Sequence, residues 1–145
     1  MATLQSGLPE QVLDDEDLAR FLVQSNQYTS VMVKPAAFLP NPKDRTTSVS
    51  RHGANPLDRL WELGAAAAGG RKLHGAAIIR VQVVTEAQLT VDADEPPPRH
   101  AVIRGWPWNA ADPVLQKAQQ KERASILASA AGPPILRSPV VELEP

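Results

Sequence analysis

Proline placement constrains this chain more than any other feature. Fourteen of the 145 residues are Pro, and each fixes φ near −65° and removes a backbone donor. Asn55-Pro56 and Asp112-Pro113 each set a capping residue before a Pro suited to the first helical position. They predict helices over 56–68, closed by Gly69-Gly70, and over 113–131, closed by Gly132-Pro133-Pro134. Leu39-Pro40-Asn41-Pro42 cannot be helical, and Pro96-Pro97-Pro98 must be extended and stiff.

Between these fixed points the apolar pattern assigns the rest. Asp14 to Asp17 precede Leu18, Phe21 and Leu22 at helical spacing, which predicts a helix within residues 10–25. Val31 and Val33 alternate with Met32 and Lys34 before Pro35, as on an edge strand or extended segment. Thr46 to Arg51 is rich in β-branched residues and predicts a strand. Ala76–Val84 and Glu86–Asp92 alternate apolar and polar residues. No Gly or Asn falls at 84–86, which favours one long bent strand over a tight hairpin. His100–Arg104 reads as a further short strand, and the end from Ile135 as a tail or a strand added to a sheet edge. Three helices among four or five short strands predict an α+β fold with a mostly antiparallel sheet. Residues 1–10 read as a polar lead-in, 11–131 as one domain and 132–145 as a Pro-rich extension.

Composition removes several function classes. The chain has no Cys, which excludes disulfide scaffolds, Cys-based metal sites and thiol nucleophiles. No apolar run approaches a membrane span, and no secretory signal opens the sequence, so a cytoplasmic protein away from membranes is expected. A formal net charge of −1 argues against a strongly electrostatic nucleic-acid binder. With only six aromatics the core rests on Leu, Val and Ile. Neither a Walker loop nor G-x-G-x-x-G is present, Gly69-Gly70-Arg71-Lys72 lacking the spacing. The His spacing fits no metal motif, and no cofactor is expected.

Candidate chemistry gathers on the three His, each at a predicted strand end: Arg51-His52, Leu73-His74-Gly75 and Arg99-His100. A neighbouring guanidinium favours neutral imidazole, able to act as a base. Adjacent residues on a regular strand point to opposite faces, so a doublet shares one pocket only where the strand is interrupted. The stretch from Asp92 to Trp108 is the least generic: a stiff Pro run enters a strand, and Gly105-Trp106-Pro107-Trp108 sets two Trp beside a turn. Those Trp suit a recognition surface, while an aromatic-poor domain needs at least one of them inside. Lys117, Lys121 and Arg123 read as a solvated helix face.

Lys34-Pro35-Ala36-Ala37-Phe38-Leu39-Pro40, Ser48-Val49-Ser50-Arg51-His52, Leu73-His74-Gly75 and Glu95-Pro96-Pro97-Pro98-Arg99-His100 before Gly105-Trp106-Pro107 together resemble a group of short bacterial hypothetical proteins. The resemblance spans about residues 18–130. It implies a bacterial source and an independent small gene product, and brings no catalytic residue, cofactor or fold.

Two functions are expected to compete. One is a binding or regulatory module contacting a protein or nucleic acid through Arg51, Arg99, His100, Arg104, Trp106 and Trp108. The other is a small enzyme for a phosphate-bearing or nucleotide substrate, with those Arg on phosphate and His52, His74 or His100 as acid or base. An accessory role in a mobile element or a toxin–antitoxin-like system is a third.

Overall fold

A computed structural model describes residues 4–52 and 56–137. It shows one antiparallel sheet of six strands: β1 (Asp17–Leu22), β2 (Thr47–Arg51), β3 (Gly75–Arg80), β4 (Thr90–Ala93), β5 (His100–Arg104) and β6 (Ile135–Leu136), in the order β4-β5-β2-β1-β3-β6. Three helices accompany it: α1 (Leu57–Ala68), α2 (Val81–Glu86) and α3 (Pro113–Ala131). The α+β class stands, but the strand number exceeds the four or five expected.

The extra strands have identifiable sources. β1 replaces the helix expected within 10–25. It lies between β2 and β3 and is buried on both faces, with Leu18 and Leu22 in one core and Ala19 and Phe21 in the other. A doubly buried strand reads as a continuous apolar run, whose spacing also satisfies a helical stripe. β6 pairs with Gly75 and Ala76 at the sheet edge, a close approach that a Cβ at Gly75 would block by meeting the Ile135 carbonyl.

The segment expected as one bent strand is instead strand, helix, reversal and strand. β3 ends at Arg80, α2 buries Val81 and Val84 one turn apart, and Gln88 reverses the chain at φ 64°. Arg123 secures that reversal by donating from Nη1 to the Ala87 and Gln88 carbonyls. The Val31–Lys34 strand shrinks to one bridge, Tyr28 to Val33, before a 3-10 turn over Pro35–Ala37.

Of the two helices expected to start at Pro, α3 does so and α1 begins one residue later. Asp112 caps α3 by accepting from the Leu115 N–H at 3.0 Å. Gly69 closes α1 at φ 58°, but at its start Pro56, expected as the first helical residue, is instead the extended N-cap whose carbonyl accepts from the Leu60 N–H; Asn55, the expected cap, lies outside the described residues. α3 packs Ala124, Leu127 and Ala128 against one face of the sheet, where Trp106, Phe38 and Val84 join it. α1 covers only part of the other face, setting Leu60 and Ala68 over Ala19, Phe21 and Ala76. Gly64 permits that approach, since a Cβ there would meet Phe21 and Leu73 at 2.8 Å. Ser48, Thr90, Asp92 and Arg104, which share the α1 face of β2, β4 and β5, stay exposed.

Candidate functional site

Partial cover by α1 leaves a cleft of about 820 Å³ beside it. The floor includes Ser48 and Ser50 of β2 and His100 of β5. One wall is α1 with Arg71 beyond its end, the opposite wall runs along Leu39–Thr46, and Pro97 and Pro98 stand at one end. Its volume is that of a small-ligand site.

β1 and β2 pair over only a short stretch beside this cleft. The β1–β2 ladder holds at Leu18↔Arg51 and Ala19↔Ser50. Beyond it, the Arg20 guanidinium bridges the chains, donating from Nε to the Ala37 carbonyl at 2.6 Å and from Nη1 to the Ser48 carbonyl at 2.9 Å. Arg71 donates from Nε to the Ala68 carbonyl at 2.9 Å and so caps the α1 C-terminus. Among the described residues, neither guanidinium has a carboxylate within salt-bridge distance. Burial pushes the Arg20 pKa down to about 10, and the charge of Arg71 adds to that fall. Arg20 therefore remains cationic at neutral pH, in a setting that disfavours its charge. Arg59, also lining the cleft, is paired with Glu62 at 3.0 Å.

The residues expected to share a site are dispersed. Arg51 is 1% exposed and points into the protein, gripping Glu16 through Nε and Nη2, each at 2.8 Å, and the Pro9 carbonyl through Nη1. Burial raises the Glu16 carboxyl pKa, but the Arg51 guanidinium and the Leu13 N–H outweigh it and hold it below the ordinary range. His52 follows on the opposite side, its N–H on the Asp17 carbonyl. Burial, aided by the charge of Arg99, lowers its pKa against the pull of Asp17. His74 accepts or donates at Nδ1 with the Tyr28 hydroxyl at 2.7 Å. Only His100 of the three His lines the cleft.

Arg99 sits at φ 69° and donates to the Arg51 and His52 carbonyls, away from the cleft lining. Arg104 pairs with Asp92 at 3.1 Å on the exposed sheet face. Trp106 is 6% exposed and belongs to the core, whereas Trp108 is half-buried beneath the Arg45 guanidinium, 4.5 Å from its ring centre. Among the described residues no cluster of His, Asp and Glu fits a metal ion, and no helix is long and apolar enough to cross a membrane.

Sequence reasoning passed over Arg20, Arg71, Ser48 and Ser50. Two signals pointed to Arg20 and to the two Ser: a lone Arg inside the apolar run Leu18-Ala19-Arg20-Phe21-Leu22, and the Ser at alternate positions of β2. Comparison with protein-family models, curated proteins and solved structures found no match. The cleft's own geometry therefore carries its functional reading.

Proposed function

We propose that the chain is a binding module whose cleft seats the anionic group of a small ligand, a phosphate or carboxylate. One observation carries this reading: Arg20 and Arg71 line one cleft, the charge of Arg71 disfavours that of Arg20, and neither has a carboxylate partner among the described residues. An anion placed between them relieves that repulsion and takes up guanidinium N–H donors in bidentate fashion. The recognition face expected around Arg99, Arg104, Trp106 and Trp108 has less support, because Trp106 fills the core and Arg104 is already paired. Retained from that expectation is a binding role, with its centre moved to the cleft that His100 lines.

Thermal unfolding with added inorganic phosphate, pyrophosphate or citrate tests the proposal. At 100 times its Kd a bound anion stabilises the folded state by about 2.7 kcal/mol. The expected result is a rise in Tm above that in sodium chloride of equal ionic strength, lost in Arg71→Ala. Equal Tm values in all the salts, or a rise undiminished in Arg71→Ala, would overturn the anion seat.

A further inference from the structure

We propose that Ser50 and His100 at the cleft floor, with Asp94 behind His100, act as nucleophile, base and orienting group, making the chain a hydrolase of small carboxylic esters. Strand register supplies the first part of the case. The Arg51 N–H donates to the Arg99 carbonyl at 2.8 Å, so that residue pair is the hydrogen-bonded one. The next pair, Ser50↔His100, is then a non-hydrogen-bonded pair. Such pairs have Cα atoms only about 4.5 Å apart and side chains on one face. Both residues line the cleft.

The imidazole's partners supply the second part. His100 Nδ1 lies 3.0 Å from the Asp94 carbonyl oxygen and 3.2 Å from its carboxylate Oδ2. Both are acceptors, so in the neutral imidazole the proton sits on Nδ1 and the lone pair on Nε2. The Asp94 main chain is held in register, its N–H donating to the His100 carbonyl at 2.8 Å. The following turn is tied down where Glu95 accepts from the Arg99 N–H and from Ser6. A hydroxyl, an imidazole with a free lone pair and a carboxylate behind it form the set that activates serine on unrelated folds. Ser50 is 6% exposed as a residue, and its hydroxyl makes no hydrogen bond among the described residues, so no partner in the fold competes for it. Contacts between nucleophile and base commonly tighten only when substrate binds.

The reaction balances without a further reactant besides water. Ser50 Oγ bonds to the ester carbonyl carbon as Nε2 takes its proton. The bond from that carbon to the alcohol oxygen breaks, and His100 passes the proton to the departing alkoxide. Water, deprotonated by His100, then cleaves the acyl–Ser50 ester, and the proton returns to Ser50. Arg20 lines the same cleft and supplies positive charge for the developing oxyanion. That the preferred ester carries an anionic group rests on the anion seat proposed above; the reactivity of Ser50 does not.

A fluorophosphonate with an uncharged alkyl tail tests Ser50 directly, because the hydroxyl displaces fluoride and leaves an adduct that peptide mass spectrometry locates. The expected adduct is on Ser50, absent in Ser50→Ala and formed roughly a hundredfold more slowly in His100→Gln, the scale of general-base assistance. Circular dichroism checks that both variants fold. Absence of an adduct on Ser50 in the full chain overturns the assignment. So does an unchanged labelling rate in His100→Gln, or an adduct on the exposed Ser48 in its place. Because the probe is neutral, labelling without phosphate binding refutes only the anion seat, and phosphate binding without labelling refutes only the hydrolase.

Discussion

Replacing Glu16 with Gln keeps the shape of the side chain and removes the charge that Arg51 faces. Arg51 is 1% exposed and Glu16 21% exposed, and two guanidinium nitrogens meet the carboxylate at 2.8 Å. Breaking a buried pair by removing one partner costs about 3–5 kcal/mol, because the remaining charge stays out of water. Partial exposure of Glu16 places the expected loss at the lower end, about 3 kcal/mol. For a chain of this size each kcal/mol shifts Tm by roughly 2–4 °C, so Glu16→Gln should melt about 6–12 °C lower at neutral pH. The sign with pH follows from the carboxyl's depressed pKa in the folded state. Its stabilisation is fully present above the unfolded value of about 4.3 and is lost as pH falls through the folded pKa. The gap between the natural chain and Glu16→Gln should therefore close in acid. Thermal unfolding by circular dichroism from neutral pH to pH 3 measures it. Equal Tm values at pH 7, or a gap that widens in acid, would show that the Arg51–Glu16 pair does not hold the fold in this way. The double variant Glu16→Gln with Arg51→Met should recover part of the loss, since no uncompensated charge then remains buried.

Trp106→Ala should cost about 3–5 kcal/mol, as expected for an aromatic residue removed from a core. Trp108→Ala should cost about 1 kcal/mol, the scale of an exposed cation–π contact; chemical denaturation separates the two, and equal losses would contradict their placement. Gly75→Ala should release β6 from the sheet, seen as faster amide exchange at Arg137, whose N–H otherwise meets the His74 carbonyl at 2.9 Å. Unchanged exchange there would contradict the close approach at Gly75.

Legibility in the sequence followed the range of the force involved. Cap-then-Pro signals at Pro56 and Pro113 and the Gly stops act within one turn; α3 appears where those signals put it, and α1 begins one residue later, with Pro56 itself at the cap position. The β1 error and the α2 error share a cause. In both places short apolar runs satisfy two periods at once, and burial on the finished sheet chooses between them. At Gln88 the reversal uses a left-handed residue other than Gly, held by Arg123 from another helix, so local turn chemistry gave no mark.

The candidate site was less legible still. His100 was recognised as a candidate, but its partners Ser50 and Asp94 were not, and Arg20 and Arg71 join it from elements far apart in sequence. By itself the sequence determined the α+β class, the two longer helices, the exclusion of Cys chemistry and the supply of Arg and His. Tertiary structure alone decided which of those side chains are spent. Arg51 is committed to Glu16 and Trp106 to the core, while Arg20 and His100 face one cleft. The physical reason is that propensity and capping are set by neighbours in the chain. Strand order, register and the partial cover by α1 are set by burial across the whole sheet, and those place Ser50 opposite His100.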